Sequence, residues 1–512
     1  MRPLSSQPRI PPPALPRGSL ALFLVLGLFS FALVVPAFFV ADDFWILGTL
    51  ARQGPGGVWF HGPGGFFRPF ASLDLYLDLH LWGTHPAGYH LVNVLLHSAC
   101  AFLLSLLAFR LEEKSSRTAR GVSPRLFLLP GLFFLLLPNH AETVNWISCR
   151  VDLLAAFFSL AALVLLFSGP GPGRLLLSLL SFCAALLSKE SAAALPAAVF
   201  LLAGPSLRAR IRRAVPFVLV LCAYILLRHH ALQAWIGGYG ATKHLALGRT
   251  VKHLPLHFLR SFLPPMPSRT ILYLAGGGIL AWGTLRAWKP PAGHTRNRIL
   301  LSAGCALAFL LPTSSLGVSA TDTQGERFLY LASAFSCLAI PSLLPGKPGK
   351  RAWAPALLLP VCFLLLQGNH PAWRSAGRIS RNLTARLLRC PPGRRVFLLN
   401  VPEKLEGAYI APGPTTSLAL EWLYPGAPLP RVFPGIPQRL TSPGQVTPAR
   451  RKGKEFQLFF PGGAPRRLRA KAARLDFLEL LEAGPKKAVL RIPGLKKGDL
   501  VFCFSAGTLH PL

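Results

Sequence analysis

The chain has 512 residues, of which 52% are hydrophobic, with a mean hydropathy of +0.44. That is too apolar for a soluble protein of this length, and apolar runs recur between short Arg-, Gly- or Pro-rich breaks. The formal net charge is +36, but much of it is grouped in short loops between apolar runs. This placement fits a positive-inside membrane protein touching anionic lipid and excludes nucleic acid as the partner.

In chain order, residues 1–18 form a Pro-rich basic tail, read as cytoplasmic. The run from about Ser19 to Val40 is long for a signal peptide and lacks a small-residue cleavage pattern, so it reads as a span. It ends at the carboxylate doublet Asp42-Asp43. An ionisable residue at membrane depth is a functional hypothesis by default, against the plainer reading of a helix end. Residues 42–87 then form an external loop, crowding Arg68-Pro69, His85-Pro86 and Tyr89-His90 into one region as a binding pocket requires.

The second span, about Gly88 to Phe109, returns to Arg110, Lys114, Arg117, Arg120 and Arg125, an inner marker. A third span, about Leu126 to Pro138, leads through the turn PNHAETVNW into a fourth that ends near Phe167. The fifth span reaches Ser188, Lys189 and Glu190 outside; the sixth returns to Arg208, Arg210, Arg212 and Arg213 inside; the seventh ends at Arg228, His229 and His230. The Pro-broken stretch 252–265 is placed in the interface, which leaves both later basic clusters inside. Further spans are expected at about 270–285, 299–311, 328–344 and 352–366, roughly eleven in all, each of about 20 residues or fewer.

The expected fold class is therefore an α-helical polytopic membrane protein with a small C-terminal β-rich domain outside. The transmembrane part is placed at 19–368, a linker or amphipathic stretch at 369–390 and the β-rich domain at 391–512. Its strands are expected at RRVFLLNV, GAYIA, FQLFF, KAVLRI and DLVFCFSAG. Cys390 and Cys503, facing an oxidising space, are candidates for a disulfide. The other seven cysteines lie in or beside apolar runs as packing residues.

Only 19 residues are acidic, and several fall on one membrane face. Asp42, Asp43 and Glu142 are candidate catalytic carboxylates, because a carboxylate beside an acceptor hydroxyl can serve as general base. Arg68, His90, His140, Lys189, Glu190 and Arg327 are candidate substrate-binding residues, since an Arg near the lipid surface suits a phosphate. Asp322, Glu326 and the pair His229-His230 share that face. Plainer readings stand beside these: His140 as a helix cap with Asn139, Lys189-Glu190 as a helix-end pair, Arg150 with Asp152 as a structural ion pair. Asn93 and His97, four apart on one helix face, read as packing. No metal site is assigned, because His229-His230 lacks a third ligand nearby, and no P-loop, dinucleotide fingerprint or nucleophile elbow is present.

The stretch FFRPFASLDLYLDLHLWGTHPAGYHLVNVLLHSACAFLL resembles the first-loop and second-span region of the GT-C membrane glycosyltransferases, in the protein O-mannosyltransferase-like branch that includes the TMTC-type proteins. LPNHAETVNWISCRVDLLAAFF resembles that branch's second external turn and fourth span, and SKESAAALP and ERFLYLASAFSCL resemble later stretches. The resemblance covers about Phe38 to Ile340. It implies an external active site, a polyprenyl-phosphate-linked sugar donor and inversion at the sugar carbon. It further implies that an acid of the doublet is the base and that an Arg, Arg68 or Arg327, holds the donor phosphate. The doublet is Asp-Asp rather than Asp-Glu, which leaves the base open between Asp42 and Asp43. A β-rich stretch stands where the TMTC-type proteins carry tetratricopeptide repeats, which leaves the acceptor open between protein and glycan. The expected function is transfer of a hexose to an acceptor hydroxyl in a bacterial inner (cell) membrane. The alternatives are a non-catalytic protein that binds or moves a lipid-linked saccharide, and a surface-polysaccharide ligase or polymerase. No cofactor is implied beyond the lipid-linked donor, and the need for a divalent metal is left open.

Overall fold

The computed structural model describes residues 15–59, 65–115, 124–235, 238, 247–288, 293–343, 353–410, 416–460, 477–484 and 486–512. The chain is mainly helical up to residue 388 and mainly β thereafter. The first helices are α1 (Ser19–Phe31), α2 (Asp42–Gln53), α3 (Pro69–Trp82), α4 (Pro86–Ser115), α5 (Leu129–Leu136), α6 (Ala141–Asn145) and α7 (Arg150–Phe167). Next come α8 (Pro172–Ser188), α9 (Leu195–Leu202), α10 (Leu207–Leu232), α11 (Leu247–Arg260), α12 (Arg269–Trp288), α13 (Gly293–Leu310), α14 (Tyr330–Leu343) and α15 (Trp353–Leu388).

Among the described residues each apolar run read as a span contains helix, but most of these helices are too short or too polar to cross a bilayer unaided. Among the described residues, Pro86–Glu112, Ile147–Phe167 and Leu207–Leu232 are long and apolar enough, and Leu126–Leu136 with Pro138–Asn145, bent by 56°, makes a fourth candidate. Shorter apolar helices stand at Ser19–Phe31, Pro172–Ser188, Glu190–Leu202 and Tyr330–Leu343. Length and composition thus give fewer crossings than the roughly eleven expected. The breaks have local causes. Proline removes a backbone donor and clashes with the preceding turn, and Pro138 stands just after α5 where the chain turns. Between α8 and α9 the polar Lys189 is extended, which ends the helix before a 3-10 turn at Glu190–Ala194.

The largest core lies among α1, α4, α5, α7, α8, α9 and α14, with Phe23, Leu104, Phe134, Leu163, Phe182 and Phe335 fully buried. By contrast α10 turns Leu219, Leu226, Ile225 and Val218 outward. Exposed leucines in such a row have no place in water and fit a lipid-facing helix.

Residues 369–390, expected as a linker, continue the preceding helix: α15 runs unbroken for 36 residues. Its middle is used by the helical part, where Asn369 donates to the Pro138 carbonyl at 2.9 Å and His370 meets Asn145 at 3.0 Å. Beyond it lie β1 (Arg395–Leu405), β2 (Ala408–Tyr409), the helix α16 (Thr416–Leu423), β3 (Arg431–Leu440), β4 (Ala449–Lys452), β5 (Glu455–Phe459), β6 (Glu479–Ala483), β7 (Lys487–Arg491), β8 (Leu500–Ser505) and β9 (Thr508–Pro511). All five expected β runs contain strands; β3, β4, β6 and β9 were not expected. β1 is central to the first sheet, parallel to β3 and β8 and antiparallel to β2, and β9 extends it beyond β8. A second sheet has the antiparallel order β4-β5-β7-β6.

Side chains alternate across β1. Val396 and Leu398 pack toward α15, whereas Phe397 and Leu399 pack toward the second sheet. The same alternation corrects the disulfide expectation. Cys503 on β8 points into the core between the sheets, while Cys390 lies in the core against α15, and both are free thiols. They stand on opposite faces of one sheet.

Candidate active site

The doublet begins α2, and its two members diverge at once. Asp43 turns inward and is 1% exposed. Its Oδ2 accepts the Val40 N–H at 3.0 Å, and its Oδ1 accepts the Ser148 N–H at 2.8 Å and the Ser148 hydroxyl at 2.5 Å. It therefore pins the start of α2 to the 3-10 turn Ile147–Cys149. Burial raises its pKa to about 7, against the pull of those hydrogen bonds. Asp42 points the other way and lines a cleft of about 860 Å³, counting its open mouth. The protein around its carboxyl raises its pKa by desolvation, opposed by the Arg327 charge.

The cleft is lined by Asp42, Arg68, Asp152, Lys189 and Arg327 among the charged groups and by Trp45, Phe66 and Trp146 among the aromatics. The five charged groups come from five different segments, and four of them are held by ion pairs. Arg68 grips Glu190 with its whole fork, Nε to Oε2 at 3.0 Å and Nη2 to Oε1 at 2.6 Å. Burial alone would raise the Glu190 pKa, but the Arg68 charge, its hydrogen bonds and Lys189 hold it at about 2. Lys189 donates to Asp152 at 2.5 Å, both side chains nearly inaccessible. The Lys189-Glu190 step thus serves two partners rather than pairing with itself.

Arg327 follows the same logic. Its backbone N–H and its Nη1 both bond the Glu142 carboxylate, the former at 2.9 Å. Its guanidinium lies 4.5 Å from the Phe328 ring centre, 5.1 Å from Trp146 and 5.7 Å from Tyr409. Aromatic faces attract a guanidinium and fix its plane. Glu142 is fully buried beneath it and lies outside the cleft lining. The neighbouring Glu326 pairs with a different arginine, Arg260 of α11, at 2.6 Å.

The remaining candidates lie below or beside the cleft. His140 is buried, with Nδ1 2.7 Å from the Phe134 carbonyl and Nε2 2.7 Å from Ser333 Oγ. His90 is buried in α4. His229 stacks on Trp235 at 3.9 Å, and Asp322 pairs with Arg439 of β3. Arg150 does not pair with Asp152. It is a buried hub that bonds Asp74, Asp78 at 2.8 Å and Asn93 at 2.6 Å. Residues two apart on a helix do not face each other, so the i, i+2 spacing could not have made that pair. Asn93 in turn donates to the Val144 and Trp146 carbonyls, at 3.1 and 3.2 Å, and holds the wall of the cleft. Among the described residues no group of three or more His, Cys, Asp or Glu stands in metal-binding geometry.

Sequence reasoning missed Trp45, Trp146, Ser148 and Tyr409, and it assigned Asp152 to a structural pair with Arg150. Asp152 carried a signal, an acid in the first turn of a long apolar helix.

The human protein O-mannosyl-transferase TMTC4 is 37% identical over 99 residues, 18% of this chain and 13% of its own length. The Drosophila melanogaster Tmtc1 is 34% identical over 158 residues, 30% of this chain and 16% of its own. The Caenorhabditis elegans protein O-mannosyl-transferase F38B6.6 is 25% identical over 299 residues, 53% of this chain and 41% of its own. Over these stretches the chain is similar to TMTC-type protein O-mannosyl-transferases. It spans less than half the length of each of these TMTC-type relatives. No family model matches. Among solved structures, ArnT from Cupriavidus metallidurans bound to undecaprenyl phosphate is similar at 13% identity and a TM-score of 0.45, over 93% of this chain and 98% of that one. The mycobacterial arabinofuranosyltransferase AftD is similar at 16% identity and a TM-score of 0.47, over 96% of this chain and 41% of that one. Likenesses at these scores decide nothing about the fold or the site.

Proposed function

We propose that this chain is a GT-C-type membrane glycosyltransferase that moves a hexose from a polyprenyl-phosphate donor to an acceptor hydroxyl at the outer membrane face. The observation that carries the reading is the cleft in which an outward carboxylate, Asp42, stands across from a caged arginine, Arg327. Inverting transfer needs this pair of opposites. The acceptor oxygen attacks the sugar carbon as its proton passes to Asp42, and the sugar–phosphate bond breaks as negative charge collects on the departing polyprenyl phosphate. Arg327 is placed to hold that phosphate through a charge-assisted fork. Trp45, Phe66 and Trp146 supply flat apolar faces for the sugar. Asp43 fixes the start of α2 and Glu142 fixes Arg327, so both act by positioning.

This reading takes the spans to place the cleft and the C-terminal part on the extracytoplasmic side of a bacterial inner membrane. The acceptor, protein or glycan, is set by groups outside this pair.

The test is transfer by purified enzyme in lipid nanodiscs with a polyprenyl-phosphate hexose. Asp42→Asn should lower kcat by about 10²–10⁴, the usual worth of a positioned base, while donor binding persists. Arg327→Lys should weaken donor binding roughly tenfold or more, because a point charge cannot reproduce the fork. An Asp42→Asn enzyme that inserts normally and transfers at the wild-type rate removes the assignment.

A further inference from the structure

In the C-terminal part, the hairpin of β1 and β2 touches the segments that carry both sides of the cleft. Its turn is Glu406-Gly407, at φ 47° and 93°, between the paired Leu405 and Ala408. Two successive positive φ values are the mark of a tight two-residue hairpin turn. That turn is pressed against the loop leading to Arg327. The Thr323 hydroxyl donates to the Glu406 carbonyl at 3.3 Å. A Cβ at position 407 would fall 2.5 Å from Thr323 Oγ1 and 2.8 Å from the backbone nitrogens of Thr323 and Gln324. Only glycine satisfies both the backbone angle and the approach. Arg439 of the adjacent β3 secures the same loop through Asp322.

The far side of the hairpin reaches the other half of the cleft. The Ile410 carbonyl, just past β2, accepts the Ala41 N–H at 3.1 Å. Ala41 precedes Asp42 and is held at φ 45°, an angle a non-glycine residue keeps only when its surroundings impose it. Between these two ties, the Tyr409 ring stacks on Trp146 at 4.6 Å and 26° and closes the cage around Arg327.

We propose that the β1–β2 hairpin is a positioning element that sets the spacing between Asp42 and Arg327, with Gly407 and Tyr409 as its working residues. It reaches Asp42 at one remove, through Ala41, and Arg327 both directly, through the Tyr409 ring, and through Thr323 and Trp146. The C-terminal part is then a required component of the site and not an appended module. The inference rests on the transferase reading for its consequence in binding, but its mechanical content stands alone.

Two measurements on the full chain in nanodiscs separate them. Hydrogen exchange of the amides at 41–44 and 319–327 reads the clamp, and titration with undecaprenyl phosphate reads the site. Tyr409→Ala and Gly407→Ala should speed exchange in both segments and raise the dissociation constant about tenfold, whereas Tyr409→Phe, which keeps the ring, should stay within about twofold of wild type. Unchanged exchange and affinity in Tyr409→Ala and Gly407→Ala, with Arg327→Ala weakened, would overturn the hairpin's role and leave the transferase reading intact. Wild-type protein that does not bind undecaprenyl phosphate, or Arg327→Ala that binds it equally well, would instead sink the donor site; exchange alone then decides the hairpin.

Discussion

Two adjacent aspartates with opposite fates show how far a motif can be read at the scale of the residue. The doublet was legible as a candidate pair, but the different placing of its two members depends on Ser148, over a hundred residues away. Asp43 is raised to about 7 by burial, so between an unfolded value near 3.8 and pH 7 the folded state keeps a proton that the unfolded state has lost. Stability from this group is therefore greatest at low pH and falls as pH rises through that window. Glu326, raised to about 8 by burial against the pull of Arg260, has the same sign. Glu190, held at about 2, has the opposite sign: its contribution is complete above about 4.5 and is lost as pH falls toward 2. The thermal midpoint in detergent should thus decline from pH 5 to pH 8. Asp43→Asn should flatten part of that decline. It should also lower stability by about 1–3 kcal/mol, because an amide cannot accept from both Val40 and Ser148. For activity, Asp42 must be ionised. Its raised pKa places the acidic limb of kcat/KM above the ordinary value of 3.8. Arg327 lowers that pKa by its charge, so Arg327→Gln should move the limb to higher pH. A limb that stays put would show that the titrating group is elsewhere.

At the scale of the element, hydrophobic runs located the helices well and their ends poorly. The strands at 395–405, 487–491 and 500–505 were legible because both faces are buried and the runs are continuous, and that at 455–459 because buried Phe456 and Leu458 alternate with half-buried residues. β3 was hidden by Pro434, Pro437 and Gly435, and it survives because Gly435 lets the Leu398 and Leu399 carbonyls approach within 2.0–2.4 Å of where a Cβ would stand. The stretch 252–265 was placed in the interface because prolines break it and both later basic clusters then fall inside. Nothing in it announced that Arg260 ends α11 fully buried, with Nη2 on Glu326 at 2.6 Å, Nε on the Ser319 carbonyl at 3.0 Å and Nη1 on the Leu263 carbonyl at 2.5 Å. That ion pair joins α11 to the turn carrying Arg327. Arg260→Leu should cost about 3–5 kcal/mol, since it strands Glu326 without a partner. Arg260→Leu with Glu326→Leu should recover most of the loss. Calorimetric or fluorescence melting of the two variants checks this, and equal midpoints for single and double variants would show that the pair does not carry the coupling.

Over the whole molecule, the C-terminal part and the cleft occupy the same side, whatever the membrane does. Trp422 of α16 packs on Phe39 at 4.9 Å, Arg52 of α2 pairs with Glu421, and Tyr409 stacks on Trp146. These contacts join residues more than 250 positions apart, which is why no local pattern showed them. The helices then fix which loops lie opposite. α4 leaves the cleft side at Pro86 and ends beyond Arg110; α8 returns to Lys189 at the cleft; α9 departs again toward Arg208, Arg210, Arg212 and Arg213. Arg110 near the end of α4 and Arg208, Arg210, Arg212 and Arg213 in the first turns of α10 thus both lie opposite the cleft. Loops rich in Lys and Arg stay in the cytoplasm, so the cleft and the C-terminal part should face outward together. A periplasm-dependent phosphatase fused after Leu512 should be active, and the same reporter placed within 116–123 should be silent. The inverse result would turn the molecule over and put the donor's phosphate on the cytoplasmic leaflet. Two active fusions would break the shared geometry itself, because α4 could then not separate its ends across the bilayer.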